Sequence, residues 1–315
     1  MKPGILRGSP MKLRYVSIFA AMALLTGAAP RGETILWRIA PVAEGGEVTH
    51  LDLSLTFPGD SDGETLVRLP TDWGGQSQLW RALHDFDAGS ARIEPGTDPS
   101  ELILHHAPGA PVTLSWKLGG GPDAPPPKAG GNDYRPRFAP DHFFVIGFTA
   151  LPWPETVSSG DMARVEIRRP DGLALVSDLD HAPGGRLAFA DLAQSALFGG
   201  KLRISDAGGG ARLAINGSFD SITDTQWTET FTRIARAQQR YWKAKEEDFL
   251  VTVISEPAAT ERRSFGGTGL GDAFSIFALS NTGLDDITGL IAHEMMHGWI
   301  PGRIGRMPDE NEAIH

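Results

Sequence analysis

The sequence predicts an α+β protein, with a β-sandwich over residues 30–206 followed by a smaller mixed segment over 207–315. Two observations carry this. Short runs that alternate apolar with polar residues recur between turn clusters from about Glu33 to Asp206, the pattern of half-buried strands at regular spacing. At Ser221 to Asp224 the period changes, and apolar residues then recur at three and four, as on one face of a helix. A length of 315 residues leaves room for two such domains.

The strands are read in order as Thr34–Ile39, Val48–Phe57, Thr65–Leu69, Glu101–His106, Val112–Leu118, Phe143–Phe148, Ala163–Arg168 and Leu202–Ile204. Between the fifth and sixth, Gly119 to Pro140 is a long irregular loop with Pro125-Pro126-Pro127 and Gly130-Gly131. His105 and His106 are adjacent, so on a strand they face opposite sides and cannot chelate together. His50, His84, His142 and His181 are isolated and read as structural or surface residues. In the second segment, Trp227, Phe231, Ile234, Ala235, Gln238 and Tyr241-Trp242 predict a helix over 225–245. Asp248 to Ile254 follows as a central strand, and a glycine-rich approach, Ser264 to Asp272, leads into a further strand, Phe274–Leu279.

The N-terminus has the composition of an export signal over 11–29. Met11-Lys12-Leu13-Arg14 is basic, Tyr15 to Leu25 is apolar, and Thr26-Gly27-Ala28-Ala29 offers small residues for cleavage. The apolar run is too short for a spanning helix, so a periplasmic or secreted protein without stable membrane insertion is expected. The formal charge of −10 argues against a nucleic-acid partner. Residues 1–29 hold four cationic side chains and no acidic ones, so their removal takes the charge from −10 to −14. The sequence has no cysteine, and therefore no disulfide.

The chemistry concentrates in Asp286 to Ile300, around His293-Glu294-Met295-Met296-His297. Two histidines four apart on a helix lie about 40° apart in rotation and about 6 Å apart along the axis. Both can reach one tetrahedral Zn²⁺ ion, with Glu294 beside them. Such an ion lowers the pKa of its water to about 7, and the neighbouring carboxylate serves as general base. Asp285 and Asp286 suit the positive end of the helix, and Pro301-Gly302 supplies the stop. Leu284, Ile287, Ile291, Met295 and Gly298 fall on the face away from the histidines, while Gly289, Leu290 and Ile300 share the metal side. The helix is therefore expected to be interior, with a dry metal face.

Helix, strand, strand, helix looks like the upper part of a thermolysin-like zinc peptidase domain. The chain resembles the glycyl-aminopeptidase family of gluzincin metallopeptidases in Phe265-Gly266-Gly267-Thr268, in the His-Glu-x-x-His helix and in Gly298-Trp299. Val67 to Gly74 and His142 to Gly147 with Leu151-Pro152 are similar to β-domain segments of that family. The resemblance implies one zinc ion held by His293 and His297, Glu294 as base, and a peptide substrate with a small N-terminal residue such as Gly or Ala. It places the peptide backbone along Phe274–Leu279 and the preceding glycines, so Gly266, Gly267, Thr268, Gly269 and Asp272 are the candidate substrate-binding residues. Where the family carries an acid suited to the substrate's amino terminus, this chain has Gly269, with Asp272 the nearest acid.

A gluzincin's third ligand is a Glu usually eighteen or more residues beyond the second histidine, and 315 − 297 = 18 residues follow here. The expectation is that this ligand lies beyond His315, with Glu310 and Glu312 as weaker candidates. A metzincin arrangement is excluded, since Ile300 and Arg303 stand where it needs Gly and His. Three readings remain open at this point: aminopeptidase, endopeptidase with the same site, and a peptide-binding relative without catalysis.

Overall fold

The computed structural model describes residues 35–297 and 299, except 120–126, 129–132, 209, 244–247 and 298. The expected export signal and Glu310 and Glu312 lie outside the described residues.

Period-two burial builds the first part. In Glu47–Pro58 the buried residues are Val48, Leu51, Leu53, Leu55 and Phe57, and register carries the pattern across strands. Ile39 lies opposite Leu53, which lies opposite Trp116, while Trp37, Leu55 and Leu114 form the next row. The six-stranded sheet runs in the order Arg186–Ala188, Met162–Ile167, Leu36–Glu44, Glu47–Pro58, Pro111–Leu118, Leu83–Asp87. Two four-stranded sheets accompany it. One orders Trp153–Pro154, Glu64–Arg68, Glu101–His105 and Arg92–Pro95; the other orders Ala174–Ser177, Ala196–Gly200, His142–Ile146 and Arg137–Ala139. One apolar cluster, including Trp37, Leu55, Phe57, Trp116, Phe143 and Phe189, fills the space among them.

The isolated histidines have local partners. His84 Nε2 lies 2.9 Å from the carbonyl of Gly119, and His142 Nδ1 lies 2.8 Å from Asp141. His105 sits beside Glu94 while His106 turns to Thr65, so the two point apart as expected.

The second part is a five-stranded sheet: β1 (Arg203–Gly208), β2 (Ala211–Asn216), β3 (Phe249–Glu256), β4 (Phe265–Gly269) and β5 (Ala273–Leu279), in the order β1-β2-β3-β5-β4. The expected division at 206/207 thus falls inside β1. Strands β2, β3 and β5 run parallel, and β4 returns antiparallel along β5. Helices α1 (Asp224–Trp242) and α2 (Leu284–Met296) share an apolar cluster with one face, through Val251, Val253, Phe274 and Ile276. The other face, through Leu250, Ile254 and Phe277, joins Phe144, Ile146 and Phe198 of the β-rich part. Burial on both faces explains the near-continuous apolar runs of β3 and β5.

Helix α1 begins at Thr223, whose side chain and that of Gln226 bond each other's backbone amides, and it closes at Lys243 in a left-handed conformation. Among the described residues no helix is long and apolar enough to cross a membrane.

At the joint between the two parts stands Asp178, whose Oδ1 accepts from the amide of Ala196 at 2.9 Å. Part of the residue's surface reaches solvent, but its carboxylate is enclosed, and that enclosure sets its titration. Burial raises its pKa from 3.8 to about 7; the Ala196 amide opposes the shift and the charge of Asp272 adds to it. A carboxyl raised in the folded state contributes stability that is fully present below its unfolded pKa and is lost as pH rises through about 7. Asp178→Asn removes this dependence. Urea unfolding at pH 5 and pH 8 should show the wild-type chain losing on the order of a few kcal/mol more than the variant across that interval. Equal losses would show that Asp178 is not the titrating group.

Candidate metal centre and substrate edge

Helix α2 starts at Gly283, whose amide donates to Asp286 Oδ2 at 2.8 Å, and Arg263 donates to the same oxygen at 2.7 Å. Ile287, Ile291 and Met295 bury one stripe against the sheet. The helix ends at Met296, with His297 as its cap residue, shorter than the expected span to Ile300.

Gln238 of α1 holds this end in place. Its amide nitrogen donates to the carbonyl of Ala292 at 3.0 Å, and its oxygen accepts from Trp299 Nε1 at 3.1 Å. The Trp299 ring stacks on Trp242 with centroids 6.1 Å apart. Gln238 is buried, so its amide satisfies a backbone group near the motif while standing on an otherwise apolar face.

The structure brings His293, Glu294 and His297 together, with one donor atom from each lying within 4.8 Å of the others. The imidazole rings stand 5.2 Å apart and nearly perpendicular. Glu294 Oε2 is 3.8 Å from His297 Nε2, and the glutamate side chain is 12% exposed against 39% for His297. No other group of three or more such residues forms among the described residues. The expected dry, interior metal face is not found: His293 and Gly289 are exposed and Leu290 is only partly covered. The motif side of α2 is therefore partly open to solvent, while the packing stripe occupies the opposite side.

Beside the motif runs β4, the edge strand of the sheet. This corrects the expectation that Phe274–Leu279 holds a peptide backbone. That strand, β5, lies between β3 and β4 with both sides already paired. The glycine-rich segment is itself the edge strand; its composition suits a turn better than a strand, which hid it. Leu279 N donates to Ser264 O, and Leu270 N to Ala273 O. By the alternation of an antiparallel pair, the backbone groups of Gly266 and Thr268 therefore turn toward β5, and those of Phe265, Gly267 and Gly269 turn outward.

Three of the outward groups are engaged, the carbonyl of Gly269 by Thr268 Oγ1 at 3.4 Å. The amide of Gly269 donates to Glu294 Oε2 at 2.8 Å, and the carbonyl of Gly267 accepts from Tyr134 Oη at 2.7 Å. Burial first, then the charge of Glu294, pushes the Tyr134 hydroxyl up to about 12, so it stays a proton donor at neutral pH. A Cβ at Gly269 would lie 2.8 Å from His297 Cβ, too close for any side chain. An acid at this position would displace the second histidine, which accounts physically for the glycine. Asp272, also a candidate, lies in the turn between β4 and β5. There burial, then the charges of Asp191 and Asp248, raise its pKa.

Tyr134 and Gln238 were not singled out for these roles by sequence reasoning. Tyr134 lies 133 residues from its partner and Gln238 54 from Ala292, and no local pattern marks such pairs.

Two substitutions test this geometry. Gly269→Ala should displace His297 and weaken zinc binding at least about tenfold in a competition titration with a chromophoric chelator, a loss of about 1.4 kcal/mol. Unchanged affinity would mean that the strand–histidine contact is not limiting. Gln238→Ala takes this partner from a part-buried carbonyl and from an indole N–H and should cost about 1–3 kcal/mol in urea unfolding. A change below 0.5 kcal/mol, roughly the scatter of neutral surface substitutions, would contradict the clamp.

No protein-family model matches the sequence, and no curated protein does either. Solved structures do match in shape. An aminopeptidase N family protein from Idiomarina loihiensis superposes with a TM-score of 0.65 at 14% identity, over 84% of this chain and 47% of that one. An M1 zinc metallopeptidase from Deinococcus radiodurans gives 0.45 at 12% identity, over 87% of this chain and 65% of that one. Yeast LTA4 hydrolase gives 0.48 at 12% identity, over 85% and 44%. The first of these carries the comparison: the chain has the fold of that aminopeptidase N family protein and spans about half of its length.

Proposed function

We propose that the chain is a zinc-dependent peptidase that removes small residues, Gly or Ala, from the amino terminus of peptides. One observation carries the reading: His293, Glu294 and His297 converge beside an edge strand whose Gly269 amide holds the glutamate. Two imidazoles from one helical turn, with a carboxylate next to them, form a donor set suited to zinc. His293 and His297 would hold the ion. When bound, zinc polarises a carbonyl and makes water a nucleophile at neutral pH.

The chain's own residues do the rest. Glu294 Oε2 is fixed by the Gly269 amide, which orients the carboxylate and leaves Oε1 to take the proton from attacking water and return it to the leaving amine. The outward carbonyl at the Gly269 end of β4 offers a backbone hydrogen bond to a peptide, as in strand addition generally. Gly266 and Thr268 support this edge through their pairing with β5. The preference for a small amino-terminal residue rests on the resemblance of Phe265 to Thr268 and of the motif helix. Export directed by residues 11–29 belongs to the same proposal.

Metal analysis of the purified chain should give close to one zinc, and His293→Ala or His297→Ala should weaken its binding. Absence of zinc at micromolar concentrations of the free ion, both in this chain and in a version extended through the next helix, would sink the reading. Glu294→Gln should retain the metal and reduce turnover of Gly- and Ala-arylamides by at least about a hundredfold, the lower range for loss of a general base. Turnover confined to amino-terminally blocked peptides would replace the aminopeptidase with an endopeptidase on the same site.

A further inference from the structure

The carbonyl of Gly267 on the edge strand is bonded by a residue of the β-rich part, Tyr134. We propose that Tyr134 is a specificity-determining positioning residue: by occupying the carbonyl of Gly267, it stops a bound peptide from pairing with β4 beyond Gly269. This rests on the peptidase reading above, since it concerns how far a peptide extends from Glu294.

The outward positions of β4 are Phe265, Gly267 and Gly269. Glu294 engages the last of these, so the reacting centre lies at the Gly269 end. A peptide laid along the edge from there toward Phe265 meets the next outward groups at Gly267, two residues or about 7 Å away. The acceptor it needs at that step is already bonded to Tyr134 Oη at 2.7 Å. Tyr134 is 6% exposed, and its ring meets Trp73 and Phe277 edge-on at 5.2 and 5.7 Å. The loop that carries it is fastened separately. Arg137 bonds Glu256 at the end of β3 and donates to the carbonyls of Lys128 and Asp133, each at 2.9 Å. The hydroxyl can therefore be removed without releasing the loop. A stop of this kind favours short reach on one side of the scissile bond, the property that separates trimming of chain ends from internal cleavage.

The test is calorimetric binding of Gly/Ala peptides to the full-length Glu294→Gln chain, which does not turn them over. The peptides are lengthened from two to six residues separately at each end. With Tyr134 present, one series should reach a plateau. With Tyr134→Phe added, the same series should continue to tighten by about two- to tenfold for the next backbone pair, the net worth of one hydrogen bond. The shortest peptide and the other series should not change. Equal tightening with length while the hydroxyl is present would overturn the proposal. So would a uniform change across all peptides in Tyr134→Phe, which is the mark of a purely structural role. Failure of every peptide to bind either protein would reject the peptidase reading itself, and the stop with it.

Discussion

The hydrogen bond from the Gly269 amide to Glu294 Oε2 is the contact on which the candidate site depends. It joins the edge of the sheet to the last turn of α2 and fixes the direction of a carboxylate that is largely covered. A backbone amide donating to a carboxylate is among the stronger hydrogen bonds in a protein. It also requires close approach, and the space between β4 and His297 admits no Cβ. The glycine at 269 and the spacing of the histidines are thus parts of one geometric condition: the strand must come near enough to hold the base without pushing the second imidazole away.

That condition is met because the sheet is gripped from both sides. Helices α1 and α2 cover one face and the β-rich part covers the other, with β3 and β5 buried between them. Gln238 ties the end of α2 to α1, Tyr134 ties the segment before the strand Arg137–Ala139 to β4, and Arg137 ties that strand to β3. The β-rich part therefore supplies a contact to the edge strand as well as a scaffold. At the same joint, burial raises the carboxyl pKa of both Asp178 and Asp272.

Much of this was legible in the sequence. Alternation identified Glu47–Pro58 and Pro111–Leu118 nearly to the residue, and the three-four period identified α1 and the buried stripe of α2. Strands such as Ala196–Gly200 and Ala211–Asn216 escaped notice because they are short and buried on both faces, without polar alternation. Strand β4 escaped because three of its five residues are glycine and the usual strand preferences do not apply. The motif trio could be named from spacing alone. The Tyr134 contact could not, because nothing in a linear pattern places a loop tyrosine against a carbonyl 133 residues away.

The account's central claim is that one turn of α2 offers two imidazoles to a single ion beside the strand-held glutamate. X-ray absorption at the zinc edge, on the metal-loaded chain, reads this directly. The account predicts two histidine nitrogens among the ligands in the wild-type chain and one fewer in His297→Ala. A shell of oxygen ligands alone, or a spectrum unchanged by His297→Ala, would contradict it.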